Sequence, residues 1–145
     1  TGITYLNNRI QVRIRLSENS NIKAYQSLLS ILAKNHISLD LINIFPAHQF
    51  FTVDKSEKEN VSSILDLVGI KYSIIEECST IAIVGAGMTG VPGIMARIIN
   101  VLQNNNIEVL QTADSNMTIW CLIYTKDIEI AINLLHEEFG LSKVH

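Results

Sequence analysis

The sequence has few of the residues on which catalysis and metal binding most often depend. Its two cysteines, Cys78 and Cys121, form no CxxC pair, and its four histidines show no metal-ligand spacing. It has no Ser/His/Asp arrangement and no nucleophile elbow either. We therefore predict no catalytic residue and no metal site, and we interpret the cysteines as small, reduced, apolar residues on strands.

Charge of either sign is also scarce, with 17% charged residues and a formal net charge of −3. Lysine and arginine are scattered rather than aligned, which argues against nucleic acid or an anionic membrane as a partner. No apolar run is long enough to span a bilayer, and no signal-like segment is present. With 48% hydrophobic residues among 145, the sequence predicts a globular, cytoplasmic protein. Its start at Thr1 rather than at a methionine suggests a fragment of a longer chain.

A glycine pattern in the middle of the chain is similar to a dinucleotide-binding fingerprint. Gly85-x-Gly87-x-x-Gly90 follows an apolar strand and precedes a helix, and Glu108 lies about 20 positions further on. However, the strands over 107–112 and 118–125 are joined by a link too short for a parallel crossover, so they predict an antiparallel hairpin. Val91 also stands where a P-loop would need lysine. We interpret the glycines as a turn and not as a nucleotide site.

The two halves of the sequence superimpose when one of them is shifted by 70 residues. Ile37 then falls on Ile107, within longer apolar runs that also match. Further along the chain, an offset of 71 pairs Lys55 with Lys126. The chain therefore contains one structural unit twice.

Each half has the periodicity of a strand, a helix, two strands, a second helix and a last strand. In the first half the predicted elements are a strand over 9–16, a helix over 22–35, strands over 36–45 and 50–54, a helix from the capping box Ser56-x-x-Glu59 to Gly69, and a strand over 70–76. In the second half they are a strand over 81–84, a helix over 91–106, strands over 107–112 and 118–125, and a helix over 127–139 that ends at Gly140. The order is that of the ferredoxin-like plait. The sequence thus predicts an α+β fold of two tandem βαββαβ modules with antiparallel sheets, over residues 9–77 and 78–145.

A loop of small residues leads from the first strand to the first helix in each half. The loops are Ser17–Asn21 and Gly87–Gly93, and the free N–H groups at such a helix start can hold a carboxylate. We expect the start of the second strand to lie beside this loop, where Ser38-Leu39-Asp40 and Asn106-Ile107-Glu108 offer an acidic side chain to the amino group of a free amino acid. In that role Asp40 should have no buried partner of its own. Equally, the glycines could serve the turn alone and Asp40 could be solvated.

Several ordered motifs resemble the C-terminal regulatory region of aspartate kinase, whose modules are tandem ACT domains. Motifs that resemble the second module are Val84–Met88, Pro92-Gly93, Ile107–Gln111, Ile119–Ile123 and Leu134–Phe139, and Ile37–Ile42 resembles the matching stretch of the first module. The resemblance implies the fold derived above and a regulatory region without its kinase domain. It also implies that residues 1–8, through Ile3–Leu6, share a strand with the sheet of the second module.

In that family the kinase domain, which takes ATP and Mg, phosphorylates the side-chain carboxylate of aspartate on the route to lysine, threonine and methionine. The resemblance therefore implies feedback inhibition by lysine or threonine, with no cofactor in this region. The effector contacts that it implies are Asn19, Ser20, Tyr25, Ser38, Leu39, Asp40, Met88, Pro92, Gly93, Asn106, Ile107, Asp114 and Ser115. The first loop has no glycine, unlike that of many relatives, which leaves the ligand of the first site open. Asp114 and Ser115 also suit a turn.

The last predicted hairpin strand is apolar on both faces. Ile119, Cys121 and Ile123 point one way, and Trp120, Leu122 and Tyr124 point the other way. Only one face can lie under the helices, so a partner must cover the second. That partner is either the other module or a second chain, and the resemblance favours a second chain in a homodimer.

Two alternatives are compatible with the same sequence. The first is an ACT module from a different enzyme of amino-acid metabolism, which would differ only in its ligand. The second is a small NAD-binding reductase domain, which would need the glycine pattern to bind a nucleotide.

Overall fold

The computed structural model of the chain describes residues 2–85, 93–115 and 117–140. The strands are β1 (Gly2–Arg15), β2 (Ile42–Ile44), β3 (His48–Asp54), β4 (Ser73–Val84), β5 (Gln111–Ser115) and β6 (Thr118–Tyr124). The helices are α1 (Ile22–Gln26), α2 (Leu28–Lys34), α3 (Lys58–Leu67), α4 (Ile94–Asn104) and α5 (Ile128–Phe139). Short 3-10 turns at Lys55–Glu57 and Thr125–Asp127 precede α3 and α5.

The chain divides into two compact units. One is continuous in sequence and spans Asn8–Glu76, and we call it the inserted unit. The other combines Thr1–Asn7 with Glu77–His145 on either side of it, and we call it the flanking unit.

In the inserted unit, β1 and β2 both pair antiparallel with β3. The register runs from Arg9 opposite Asp54 to Arg15 opposite His48, so β3 lies between the other two strands. Ile10, Val12 and Ile14 of β1 are buried in the core of this unit, as the alternating sequence pattern predicts. Arg9 and Gln11 are buried as well, so the prediction of a half-buried strand is wrong at these two positions. The fully buried core residues of this unit are Val12, Ile14, Leu28, Leu32, Val53, Val61 and Leu65.

In the flanking unit, β4 and β5 both pair antiparallel with β6. Here the register runs from Cys78 opposite Tyr124 to Val84 opposite Thr118. Ile3 packs against the core of this unit, and the Ser79 hydroxyl donates to Asn7 Oδ1 at 2.7 Å. The fully buried core residues are Ile81, Ile83, Ile98, Leu102, Cys121, Ile123, Ala131 and Leu135.

The predicted fold class is therefore confirmed: an α+β protein with two ferredoxin-like units built on antiparallel strands. The antiparallel hairpin of β5 and β6 is confirmed as well, and it rules out the doubly wound parallel sheet that a dinucleotide-binding domain requires. Of the glycine pattern, positions 87 and 90 lie outside the described residues.

Several predicted element boundaries are wrong. The helix expected over 22–35 is two helices, because Ser27 at φ −100° and ψ 11° ends α1 and precedes α2. The strand expected over 36–45 shrinks to β2, because the hydroxyl of Thr52 rather than a strand backbone accepts from the N–H of Leu41. The strands expected over 70–76 and 81–84 are one strand, β4.

The capping box predicted at Ser56-x-x-Glu59 is also wrong. The Asp54 carboxylate accepts from the backbone N–H of Ser56 at 2.9 Å, and it caps the 3-10 turn that leads into α3. The predicted helix stops are confirmed, since Gly69 has φ +74° and Gly140 has φ +60°, a conformation that glycine adopts without steric cost.

The offset of 70 residues between the two halves extends further along the chain than the sequence comparison indicates. β3 and β6, which start 70 residues apart, have the same order of buried and half-buried positions along all seven residues. The turns after them begin at Lys55 and Thr125, so the pairing of Lys55 with Lys126 is wrong.

Candidate functional site

The loop after β1 is held in place by two asparagines, Asn19 and Asn21. Asn19 is buried, and its side chain donates to the carbonyls of Arg15 and Lys71 and accepts from the N–H of Lys71. Asn21 caps α1 through a bond from the N–H of Ala24, and it also donates to the Val68 carbonyl. Sequence reasoning missed Asn21, although an asparagine directly before a helix is a strong capping signal.

Two clefts lie at this end of the inserted unit. The smaller has a volume of 240 Å³, and it is lined by Ser17, Glu18, Asn19, Ser20, Gly69 and Lys71. The larger has a volume of 580 Å³, and it is lined by Leu16, Ile22, Tyr25, Gln26, Ile44, Phe45, Pro46 and Gln49. Tyr25 is part of the wall of the larger cleft, it is 4% exposed, and its carbonyl accepts from Gln49 Nε2 at 3.0 Å.

The candidate acidic residue lies at the opposite end of the unit, in a network that the sequence does not reveal. The Arg9 guanidinium, whose side chain is 8% exposed, binds the carboxylates of Asp40 and Asp54. The expectation that Asp40 has no buried partner is therefore wrong. Ser38 beside it is exposed and Leu39 is half-buried against the core. Hydrogen bonds from Ser56, assisted by the charge of Arg9, lower the pKa of Asp54.

The loop and Asp40 cannot meet within one unit. β1 and β2 are both antiparallel to β3, so they run parallel, and the end of β1 lies far from the start of β2. Arg9 and Arg15 are six residues apart on one strand, which corresponds to roughly 20 Å. The expectation that the two features lie side by side is wrong, because the connection between parallel strands returns the chain to the starting edge.

In the flanking unit, the residue equivalent to Asp40 is neutral. The N–H of Asp40 donates to the Thr52 carbonyl, and the N–H of Leu110 donates to the equivalent Leu122 carbonyl at 2.8 Å. From the sequence we expect Asn106-Ile107-Glu108 to be the equivalent of Ser38-Leu39-Asp40, and this pairing is wrong. The correct match is Glu108-Val109-Leu110.

The remaining candidate residues of this unit differ in accessibility. Asn106 is exposed with φ +61°, whereas Ile107 is 2% exposed within the core. Gly93, with φ +83°, directly precedes α4, and Asp114 and Ser115 are exposed at the end of β5. Met88 and Pro92 lie outside the described residues.

The outward face of β6 is only partly exposed. Trp120 and Tyr124 are half-buried, but Leu122 is completely buried. Leu122 lies on the middle strand, between Thr80 of β4 and Gln111 of β5, which are themselves buried. Leu122 is therefore covered within the chain itself, whereas the expectation that a partner covers Trp120 and Tyr124 stays a prediction.

Neither cysteine is suited to covalent chemistry. Both are buried and free of disulfides, and burial raises the pKa of the Cys121 thiol to about 12. Across residues 2–85, 93–115 and 117–140, no group of three or more His, Cys, Asp or Glu side chains could hold a metal ion. No helix in the same part of the chain is long and apolar enough to cross a membrane.

Comparison with known proteins agrees with this architecture. Residues 73–137 match the family model of the ACT domain. Aspartokinase 1 of Bacillus subtilis is 34% identical over 143 residues, which cover 99% of this chain and 35% of that protein. The chain thus spans about a third of the length of this curated relative.

Two solved structures match nearly the whole chain. The aspartokinase alpha and beta subunits superpose with a TM-score of 0.83 at 26% identity, covering 97% of this chain and 99% of that one. The ligand-free regulatory subunit of aspartate kinase from Thermus thermophilus gives a TM-score of 0.80 at 22% identity, covering 96% and 97%. With its two antiparallel ferredoxin-like units and these relatives, the chain belongs to the ACT-domain regulatory regions of the aspartate kinase family.

Proposed function

We propose that this chain binds a free amino acid, lysine or threonine, and so mediates feedback inhibition of an aspartate kinase. The observation that carries the proposal is the presence of two complementary binding features at opposite ends of the inserted unit. One end offers a loop and helix start lined by Ser20 and Lys71, which suit a carboxylate. The other end offers Asp40, which suits an ammonium group. Aspartokinase III of Escherichia coli, which has the same fold with a TM-score of 0.72 at 20% identity, was solved with lysine and aspartate, so lysine is one ligand to test.

A single free amino acid cannot bridge these two features within one unit. The features are roughly 20 Å apart, whereas an amino acid in extended form spans less than half that distance. If both charged ends of one ligand are to be bound, a second copy of the chain must therefore contribute one of the two features.

The edge of the inserted unit is suited to such pairing. Among the described residues, β2 pairs with β3 on one side only. Ile42 and Ile44 of this strand and Phe45 after it are 44%, 52% and 45% exposed. A two-fold axis at this edge would place the strands of the two copies antiparallel, so the loop end of one copy would face the Asp40 end of the other. The dimer would thus form two equivalent effector sites from Tyr25 and the loop of one copy and Asp40 of its partner.

The proposed dimer is tested by sedimentation at micromolar concentration. The expected mass is twice the 16.2 kDa chain mass, about 32 kDa. Ile44→Lys should shift the chain to monomer and abolish effector binding together, because each site needs both copies. Ile130→Lys is the control, since Ile130 is 57% exposed on α5 of the other unit. A monomeric parent chain that still binds the effector would overturn this arrangement.

The regulated reaction would be the ATP-dependent phosphorylation of the aspartate side chain in the cytoplasm, with ATP and Mg bound by the kinase domain rather than by this chain. Thermal denaturation with lysine, threonine, methionine and diaminopimelate identifies the ligand. A ligand present at about 100 times its Kd should add roughly 2.7 kcal/mol to the free energy of unfolding. NAD is the control, and a shift with NAD and with none of the amino acids would contradict the proposal.

A further inference from the structure

Arg9 has an unusual position for a charged side chain. It is almost fully buried, yet its two carboxylate partners, Asp40 and Asp54, are 38% and 44% exposed. One guanidinium between two carboxylates leaves a net charge of −1 on the network. Both carboxylates therefore keep surface that is accessible from the solvent, although Asp54 also accepts from the N–H of Ser56.

The network belongs to the inserted unit alone. Arg9 lies opposite Asp54 in the β1–β3 register, and Cys78 lies opposite Tyr124 at the same place in the β4–β6 register. With Leu110 in the place of Asp40, the equivalent positions of the flanking unit carry no charge. The core of the fold therefore does not require an ion pair at this end of the sheet.

We propose that Arg9 competes with the effector's ammonium group for Asp40 and thereby sets effector affinity. This inference rests on the proposed effector function. An ionised carboxylate is acceptor-only, and the fork of Arg9 already takes up part of its hydrogen-bonding capacity. An ammonium group that arrives at Asp40 also meets the like charge of the guanidinium, which weakens its binding.

The proposal predicts opposite effects for two substitutions within the same network. Arg9→Gln removes the competing cation and should tighten effector binding. The expected change is about tenfold, because a nearby charge typically shifts a pKa by about one unit or more, and one unit equals a factor of ten in an equilibrium constant. Asp54→Asn removes one of the two carboxylates that bind Arg9, so the guanidinium should bind Asp40 more strongly and weaken effector binding by about the same factor. The asparagine oxygen can still accept from the N–H of Ser56, so the turn before α3 is retained.

Matched variants separate competition at Asp40 from general changes in charge. Arg13→Gln removes the same charge from the same strand, where Arg13 binds Gln11 and lies 5.5 Å from the Phe50 ring centre. It should leave the Kd within about twofold, because a partly exposed charge further along the strand is screened. Arg9→Lys keeps the cation and should stay near the parent affinity.

The experiment is titration calorimetry of the 145-residue chain with threonine and with lysine. 3-Hydroxybutanoate, which has no ammonium group, is the third ligand, and its weaker binding should not respond to Arg9→Gln. If Arg9→Gln does not fold, the expected loss of affinity in Asp54→Asn still decides the matter. An unchanged Kd in the variants that fold would overturn the role of Arg9 but leave the effector function standing. Failure of the parent and of every variant to bind either amino acid would instead overturn the effector function itself.

Discussion

The inserted and flanking units have the same buried frame but different chemistry at one end of their sheets. β3 and β6 agree position by position in burial, and the residues after α2 and α4 repeat the same left-handed turn at His36 and Asn106. At the end of the sheet where Arg9 lies, however, the inserted unit has the network of Arg9 with Asp40 and Asp54. The flanking unit has neutral side chains at the equivalent positions. The repeat therefore preserves the spacing of core residues and not the residues of a site.

This difference shows why site residues cannot be transferred from one half of the chain to the other. Buried positions are fixed by packing, because a small change in core volume costs stability. A partly exposed charged position has no such constraint, and it changes with the ligand or partner that it serves. Asp40 and Leu110 occupy equivalent backbone positions and have opposite properties.

The largest effect is expected where the two units are alike. Leu65 and Leu135 are both completely buried at equivalent positions of α3 and α5. Alanine at either position should lower the free energy of unfolding by about 2–5 kcal/mol, because it removes buried methyl groups and leaves a cavity. Urea denaturation followed by circular dichroism measures both.

The control for this pair is Leu67→Ala, since Leu67 is 87% exposed on the same helix as Leu65. It should change stability by less than about 0.5 kcal/mol. A cost below about 1 kcal/mol at only one of the two buried leucines would show that the units do not share an equivalent core.

A smaller effect is expected where the units differ in charge. The pKa of Asp54 lies below its ordinary value of 3.8, chiefly because of the hydrogen bonds from Ser56 and then because of Arg9. A lowered pKa in the folded state means that the carboxylate stabilises the fold above the unfolded-state pKa, and that this stabilisation is lost as the pH falls through the folded-state value. Asp54→Asn should therefore flatten the decline of the urea midpoint below about pH 4.

Tyr124→Phe tests the equivalent position of the flanking unit, where there is no carboxylate. Its urea midpoint should decline toward low pH in parallel with the parent. Parallel curves for Asp54→Asn and the parent would mean that Asp54 makes no contribution that depends on protonation.

The smallest effect is expected at the shared left-handed turn. His36 and Asn106 have φ of +60° and +61°, and asparagine tolerates this conformation better than most other residues with a side chain. His36→Asn should raise stability by about 0.5 kcal/mol, and the reciprocal Asn106→His should lower it by about the same amount. Both positions are exposed, so packing should not obscure the comparison in thermal denaturation. Equal signs for the two substitutions would contradict the assigned cause.

The fold could be predicted from sequence because periodicity and glycine stops are local signals. The β5–β6 hairpin and the ends of α3 and α5 depend on a short link and on Gly69 and Gly140, and each signal acts within a few residues. The break at Ser27 and the shortening of β2 could not be predicted. The shortening of β2 depends on a tertiary contact, the hydrogen bond from the N–H of Leu41 to the Thr52 hydroxyl.

The candidate site was less predictable for the same reason. Asp40 could be identified as an acidic residue near a strand start, but its partner Arg9 lies 31 residues earlier, in a strand whose polar positions all look alike in sequence. The opposite placement of the loop and Asp40 follows from strand direction, which becomes clear only when β1 and β2 are both paired with β3.

The insertion of one unit within the other also determines an order of assembly. Within the inserted unit, the contact between Arg9 and Asp54 spans 45 residues, so its sheet can close as soon as β3 has been synthesised. The bond between Asn7 and Ser79 spans 72 residues, and residues 2–7 must wait for β4 before they find their partners. Closing the longer loop costs more chain entropy and slows folding. During synthesis, the segment over residues 2–7 therefore remains unpaired while the unit that follows it in sequence is already folded.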